Sequence, residues 1–238
     1  MTTYLLVHGA WHSGRAWERV VPLLEGAGHR ALAPTLTGYG DKIHLAGPDV
    51  GLGTHVDDIT TEILANGLTD VVLVGHSYAG MVISGVAHRV PDRIARLVFL
   101  DAMVPVDGET AMDVMPAARK AAEHAADGWR VPPPPEQPPP LGLFGVTDPD
   151  DAAWLRTLLS DQPIRCLTEP VRMDDPAANT IPRTHIHCVG PAPKGITRRP
   201  VPDTEPDGTP SRVLRLDTGH DCMITTPRAL TDLLLTLA

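Results

Sequence analysis

The sequence predicts an α/β fold built on a mostly parallel sheet. Short apolar runs rich in strand formers alternate with stretches of helical periodicity, and the connections between them are short. The first run, Thr3 to His8, is apolar almost throughout and ends at Gly9, as a strand buried on both faces would.

The elements follow in order. Trp17 to Glu25 places Trp17, Val20, Val21 and Leu24 at helical spacing and closes at Gly26. Arg30 to Ala33 reads as a second strand, and a glycine-rich loop leads to a helix near Thr54–Asn66. Val71 to Val74 is a third strand, Ala79 to Arg89 a helix, and Leu97 to Leu100 a fourth strand. Thr184 to Val189 and Val213 to Leu216 supply two more strands. A closing helix runs from Pro227, whose missing N–H suits the first helical turn, to Leu237.

Between about Val104 and Asp161 the rhythm breaks. An alanine-rich helix (Ala117 to Ala126) precedes a polyproline stretch within 132–140, read as a stiff connector, and a helix around Asp151–Leu159. An insertion after the fourth visible strand lies over the carboxyl ends of the strands, where open α/β sheets bind ligands.

Composition narrows the function. With 238 residues and a net charge of -9, the chain suits one domain carrying a modest insertion, and nucleic acid is not expected as a partner. No apolar stretch approaches the ~20 residues of a membrane span, so no membrane partner is expected. The first residues lack a basic leader, and Cys166, Cys188 and Cys222 match neither a disulfide framework nor a zinc site. A cytoplasmic location and no metal are expected. Arginine greatly outnumbers lysine, and alanine and proline are abundant, as in GC-rich bacterial genomes. Oligomeric state is left open, a homodimer included.

The chemistry concentrates in three places. Leu73 to Met81 reads strand, sharp turn, helix around Gly75-His76-Ser77-Tyr78-Ala79-Gly80, with Ala79 where glycine is usual. A turn of this kind exposes a serine hydroxyl for attack, so Ser77 is the expected nucleophile. His220, in Gly219-His220-Asp221-Cys222-Met223 after the last strand, is the expected base. The oxyanion donors are expected from the backbone amides of Tyr78 and of Ala10, in the turn His8-Gly9-Ala10-Trp11. Trp11, His12, Met103 and Met223 are candidate walls of an apolar substrate pocket.

These motifs, with Leu6-Val7-His8-Gly9-Ala10-Trp11-His12, resemble those of the plant methylesterase and hydroxynitrile lyase branch of the α/β-hydrolases and its bacterial carboxylesterase relatives. The likeness spans most of the chain and is weakest from about Met112 to Pro163. It implies an α/β-hydrolase fold with a six-stranded core sheet formed by 1–104 and 164–238, and a small helical cap formed by 105–163. It also implies cofactor-free catalysis on small ester, lactone or thioester substrates. The lyases of that branch use a lysine directly after the catalytic histidine and a threonine after the first motif's histidine. Asp221 and Gly9 stand there, so ester hydrolysis is expected instead.

The acid departs from the pattern. Relatives place it after the next-to-last strand, yet no carboxylate occurs between Thr184 and Asp203. Asp101, at the end of the fourth strand, is the expected acid, with Asp203 or Asp207 as alternatives. Two other readings of the same sequence stay open: a thioesterase or cyclase of specialised metabolism, and a binding protein that kept the pocket without a working triad.

Overall fold

The computed structural model describes residues 1–194, 196 and 198–238. Six parallel strands, β1 (Thr3–Val7), β2 (Arg30–Leu32), β3 (Val71–His76), β4 (Ile94–Leu100), β7 (Arg183–Cys188) and β8 (Val213–Leu216), form one sheet in the order β2-β1-β3-β4-β7-β8. A small antiparallel pair, β5 (Arg130–Val131) with β6 (Gln162–Pro163), stands apart from it.

Both faces of the sheet are covered at its centre, which is why β1 and β3 are apolar without alternation. In β1, Leu5 and Val7 join the core on one face, while Tyr4 and Leu6 join the core on the other. The first face is packed by α2 (Leu52–Ala65) and α3 (Ala79–Arg89); Val56, Ile59 and Ile63 of α2 turn inward as their spacing predicts. The second face takes α1 (Val21–Gly26), α6 (Pro149–Arg156) and α9 (Pro227–Leu235) through Leu24, Leu155, Leu230 and Leu234. No described helix is long and apolar enough to cross a membrane.

Strand order places the site. From β1 the chain moves outward to β2, then crosses back to β3 on the other side of β1, so the direction of winding reverses between β1 and β3. Loops leaving the carboxyl ends of strands at such a switch diverge and open a crevice. The register aligns those ends, with Val7 opposite Gly75, His76 opposite Leu100, and Leu100 opposite Ile186.

Several expected boundaries differ. The segment expected as one helix over Trp17 to Glu25 is a 3-10 turn (Gly14–Trp17) followed by α1, with Pro22 in the first turn of α1 where a missing N–H is tolerated. The alanine-rich helix is shorter than expected. α4 (Ala111–Val114) and α5 (Pro116–Ala122) replace Ala117 to Ala126, because Pro116 starts α5 afresh after the Met115 turn. Chain between β4 and β7 also carries α7 (Arg165–Thr168).

Candidate active site

Ser77 sits between β3 and α3 with φ 57°, a conformation a β-substituted residue rarely adopts. Close packing holds it there. A Cβ on Gly75 would lie 2.7 Å from the Ala79 carbonyl, and one on Gly80 would be driven into the carbonyl of Met103. The Ser77 N–H donates to Leu100 O (3.2 Å), and Ser77 O accepts from the amides of Gly80 and Met103 (3.1 and 2.9 Å).

Asp101, at the end of β4, also has a left-handed backbone, φ 45°. Its N–H donates to Ile186 O at 2.7 Å, and its Oδ1 accepts the Cys188 N–H at 3.2 Å. These bonds aim Oδ2 at His220 Nδ1, 2.7 Å away. The guanidinium of Arg198 lies on Oδ1 and also donates to Cys188 O at 3.1 Å. Burial alone would raise the Asp101 pKa, but the hydrogen bond and charge of His220, with Arg198 beside it, hold it far below the usual range. For His220 burial pulls downward, and Asp101 outweighs it, raising the imidazole to about 9.

The rings around His220, the expected base, are fixed as well. His76 Nε2 donates to the His220 carbonyl at 3.1 Å, which sets the height of the base loop, and burial holds His76 neutral with a pKa lowered to about 3. Among the described residues no direct hydrogen bond joins Ser77 Oγ to His220.

The turn after β1, where the Ala10 amide is the expected oxyanion donor, is held from several sides. His8 Nε2 accepts the Leu36 N–H (3.0 Å), so its Nδ1 carries the hydrogen that is donated to Gly9 O at 2.9 Å. Trp11, φ 65°, donates its N–H to Gln162 Oε1 (3.3 Å) and its indole N–H to Val131 O (3.0 Å). Among the described hydrogen bonds, the amides of Ala10 and Tyr78 have no protein acceptor.

Ser77, His220, Asp101, Ala10, Tyr78, Trp11, His12 and Met103 all line one cavity of about 490 Å³. Its other walls are chiefly apolar: the insertion supplies Val114, Met115, Ala118 and Ala121, then Pro134 and Pro135, then Leu141 to Gly145, and the chain after β7 supplies Cys188 to Pro193 with Arg198 and Arg199. The polyproline segment is therefore a wall of the cavity as well as a connector. Met223 is not a wall. The short helix α8 (Cys222–Thr225) carries it into the core on the second face of the sheet, where it is fully buried. The Tyr78 ring turns away too, its hydroxyl donating to His55 Nδ1 at 3.0 Å. Asp207 closes its own turn by accepting from Thr209, and neither it nor Asp203 reaches the cavity. His76, His220 and Asp221 bring potential ligand atoms within 4.8 Å of one another, but His220 Nδ1 and His76 Nε2 are already engaged in the bonds above.

The Alpha/beta hydrolase family matches residues 4–233. The chain belongs to that family. Among its relatives, the carbendazim hydrolyzing esterase of Nocardioides sp. (strain SG-4G) is 35% identical across 100% of both chains. The pyrethroid hydrolase of Sphingobium wenxiniae is 37% identical over 53% of this chain and 46% of its own. Methylesterase 1 of Arabidopsis thaliana is 35% identical over 43% of this chain and 40% of its own. In fold, an extracellular α/β-hydrolase from a Paenibacillus species superposes with a TM-score of 0.79 at 24% identity, covering 99% of this chain and 98% of that one.

Three features of this hydrolase have no local signature in its sequence. Arg198 meets Asp101 across 97 residues, and Gln162 meets Trp11 across 151. Asp221, notable in the sequence only as the residue standing where lyases carry lysine, pairs with His12 Nε2 at 2.9 Å.

Proposed function

We propose that this α/β-hydrolase cleaves carboxylic esters through an acyl-enzyme formed on Ser77. Ser77 attacks the carbonyl, His220 Nε2 takes its proton and passes it to the leaving alcohol, and Asp101 keeps the hydrogen on Nδ1. The amides of Ala10 and Tyr78 receive the oxyanion, each worth roughly 3–4 kcal/mol of transition-state stabilisation. Water then releases the acyl group by the reverse steps. The bond between Ser77 and His220 forms as substrate closes the site, since catalytic hydrogen bonds tighten in the Michaelis complex.

The observation that carries this reading is the Asp101–His220 contact at 2.7 Å beside a strained serine. It supplies the carboxylate whose absence after β7 motivated the non-catalytic alternative. Residues 105–163 act as a cap over a core of 1–104 and 164–238, and their apolar walls favour bulky apolar esters. Three free, buried cysteines fit a bacterial enzyme working in the cytoplasm.

A fluorophosphonate probe and p-nitrophenyl butyrate test the reading together. The wild type is expected to label once per chain and to turn over the ester, with both lost in Ser77→Ala. Persistent turnover in that variant, or no turnover by the wild type, overturns it.

A further inference from the structure

At the cavity wall lies a second histidine–aspartate pair, His12, which lines the cavity, with Asp221, which does not; the hydrolytic cycle above uses neither. Their side chains are 2% and 0% exposed, and Nε2 meets Oδ2 at 2.9 Å. The other ring nitrogen, Nδ1, lies 2.7 Å from the Ala10 carbonyl, which can only accept. Nδ1 therefore carries a hydrogen. Nε2 and Asp221 share one further proton, so the pair is neutral as a unit whichever atom holds it.

The chain positions of these contacts matter. His12 and Ala10 belong to the turn after β1; Asp221 directly follows the base His220 in the turn after β8. We infer that His12 and Asp221 are positioning residues, a buried clamp that ties the Ala10 carbonyl to the base loop and so, through the Ala10 Cα, helps to set the distance between the Ala10 N–H and His220. This rests on the proposed role of the Ala10 amide.

The turn has little else to hold that carbonyl. Gly9 O is held by His8 and the Trp11 N–H by Gln162, while Ala10 O has His12. Without it the Ala10–Trp11 peptide keeps only the long Trp11 N–H bond to Gln162 (3.3 Å), and the Ala10 Cα, which carries the N–H of the neighbouring Gly9–Ala10 peptide, is held from one side instead of two. The ion pair explains why a charged residue stands at 221. A neutral, Nδ1-protonated His12 would leave its Nε2 lone pair buried without a donor, and Asp221 meets that nitrogen through the shared proton. Burial alone would make the histidine less basic; the Asp221 charge and hydrogen bond outweigh it and raise its pKa, in line with the shared proton.

Two double variants separate positioning from charge and from folding. Asp221→Asn replaces the shared proton by an amide N–H to Nε2 and keeps Nδ1–H on Ala10 O, so kcat falls only about three- to tenfold. In that background His12→Asn sets an amide N–H near the place of Nδ1 and keeps the Ala10 bond. His12→Gln sets its amide near the place of Nε2 and loses that bond. Both doubles are uncharged at the pair. The expected result is a kcat at least tenfold lower for the Gln double than for the Asn double, with KM within about twofold, in the range that misplacing a catalytic group gives. Affinity for phenylboronic acid, whose serine adduct carries an oxyanion, should fall in step with kcat.

Equal kcat in the two doubles, or a loss confined to KM, overturns the positioning role. If neither double folds, Asp221→Asn alone decides, and a hundredfold loss there overturns it. Failure of the hydrolase reading is distinct, because it appears as absent turnover in the wild type measured alongside.

Discussion

Two histidine–aspartate pairs of nearly equal length sit a few residues apart in this molecule, and their surroundings give them different work. His220–Asp101 spans 2.7 Å and His12–Asp221 spans 2.9 Å. The His220 side chain is 29% exposed to the cavity, against 2% for His12. More telling is the nitrogen each ring has left over. No described hydrogen bond uses the second nitrogen of His220, whereas that of His12 is fixed on Ala10 O. A proton can enter and leave the first ring without disturbing the backbone. In the second it cannot, because losing the Nδ1 hydrogen breaks the bond to Ala10 O. Pairing with a carboxylate does not make a histidine a base; a free nitrogen facing substrate does.

The sharpest way to break that comparison is Asp101→Asn. An asparagine there offers an N–H to Nδ1 and selects the wrong tautomer, so Nε2 carries the hydrogen and cannot accept the Ser77 proton. Turnover should fall on the order of 10³–10⁴-fold with the melting temperature little changed. A loss under tenfold would mean that the carboxylate of the cavity pair is dispensable, and the distinction between the two pairs would fail.

The expected acid was legible in the sequence only by its place at a strand end and by elimination. Ser77 and His220 announce themselves because each lies in a local pattern, a strand–turn–helix and the turn after a final strand, and local patterns survive in one dimension. Asp101 became the candidate because the segment after β7 holds no carboxylate before Asp203. The centre of the sheet was equally legible, since β1, β3 and most of β4 are apolar runs buried on both faces. The cap was not. α4 and α5 are of four and seven residues, too short for helical periodicity to declare itself among prolines. Met223 shows the same limit at one residue: nothing in the order Gly219 to Met223 tells that α8 turns it into the core.

The pH profile sharpens the comparison further. Asp101 holds the His220 imidazolium up to about 9, and a protonated His220 cannot take the Ser77 proton. In the free enzyme kcat/KM should therefore rise with pH from neutrality, with its midpoint above the ordinary histidine range, before any loss of the fold. Removing the Asp101 charge leaves burial to act, and the residual activity of Asp101→Asn should rise at lower pH than the wild type. A wild-type midpoint at or below 6.5, the ordinary histidine value, would contradict the pairing.

The smallest expected effect concerns the third charge, Arg198, which the cavity pair has and the sealed pair lacks. Its guanidinium lies on the Asp101 oxygen that does not face His220, and is itself about a third exposed, 35%. Solvent screens such a contact, and exposed pairs contribute roughly 0–1 kcal/mol. Two effects of Arg198→Ala run the same way. The carboxylate loses one of its two anchors on Oδ1, leaving the Cys188 N–H alone, and the field opposing protonation of His220 weakens. The rising limb of the pH profile should move to higher pH by a fraction of a unit, and activity at neutral pH should drop about two- to fivefold. Raising the salt concentration should narrow the gap between wild type and variant, because the guanidinium works through solvent that ions can screen. A shift to lower pH would mean that Arg198 supports the imidazolium rather than competing with it for Asp101. The cavity pair would then be a two-charge device like its sealed counterpart.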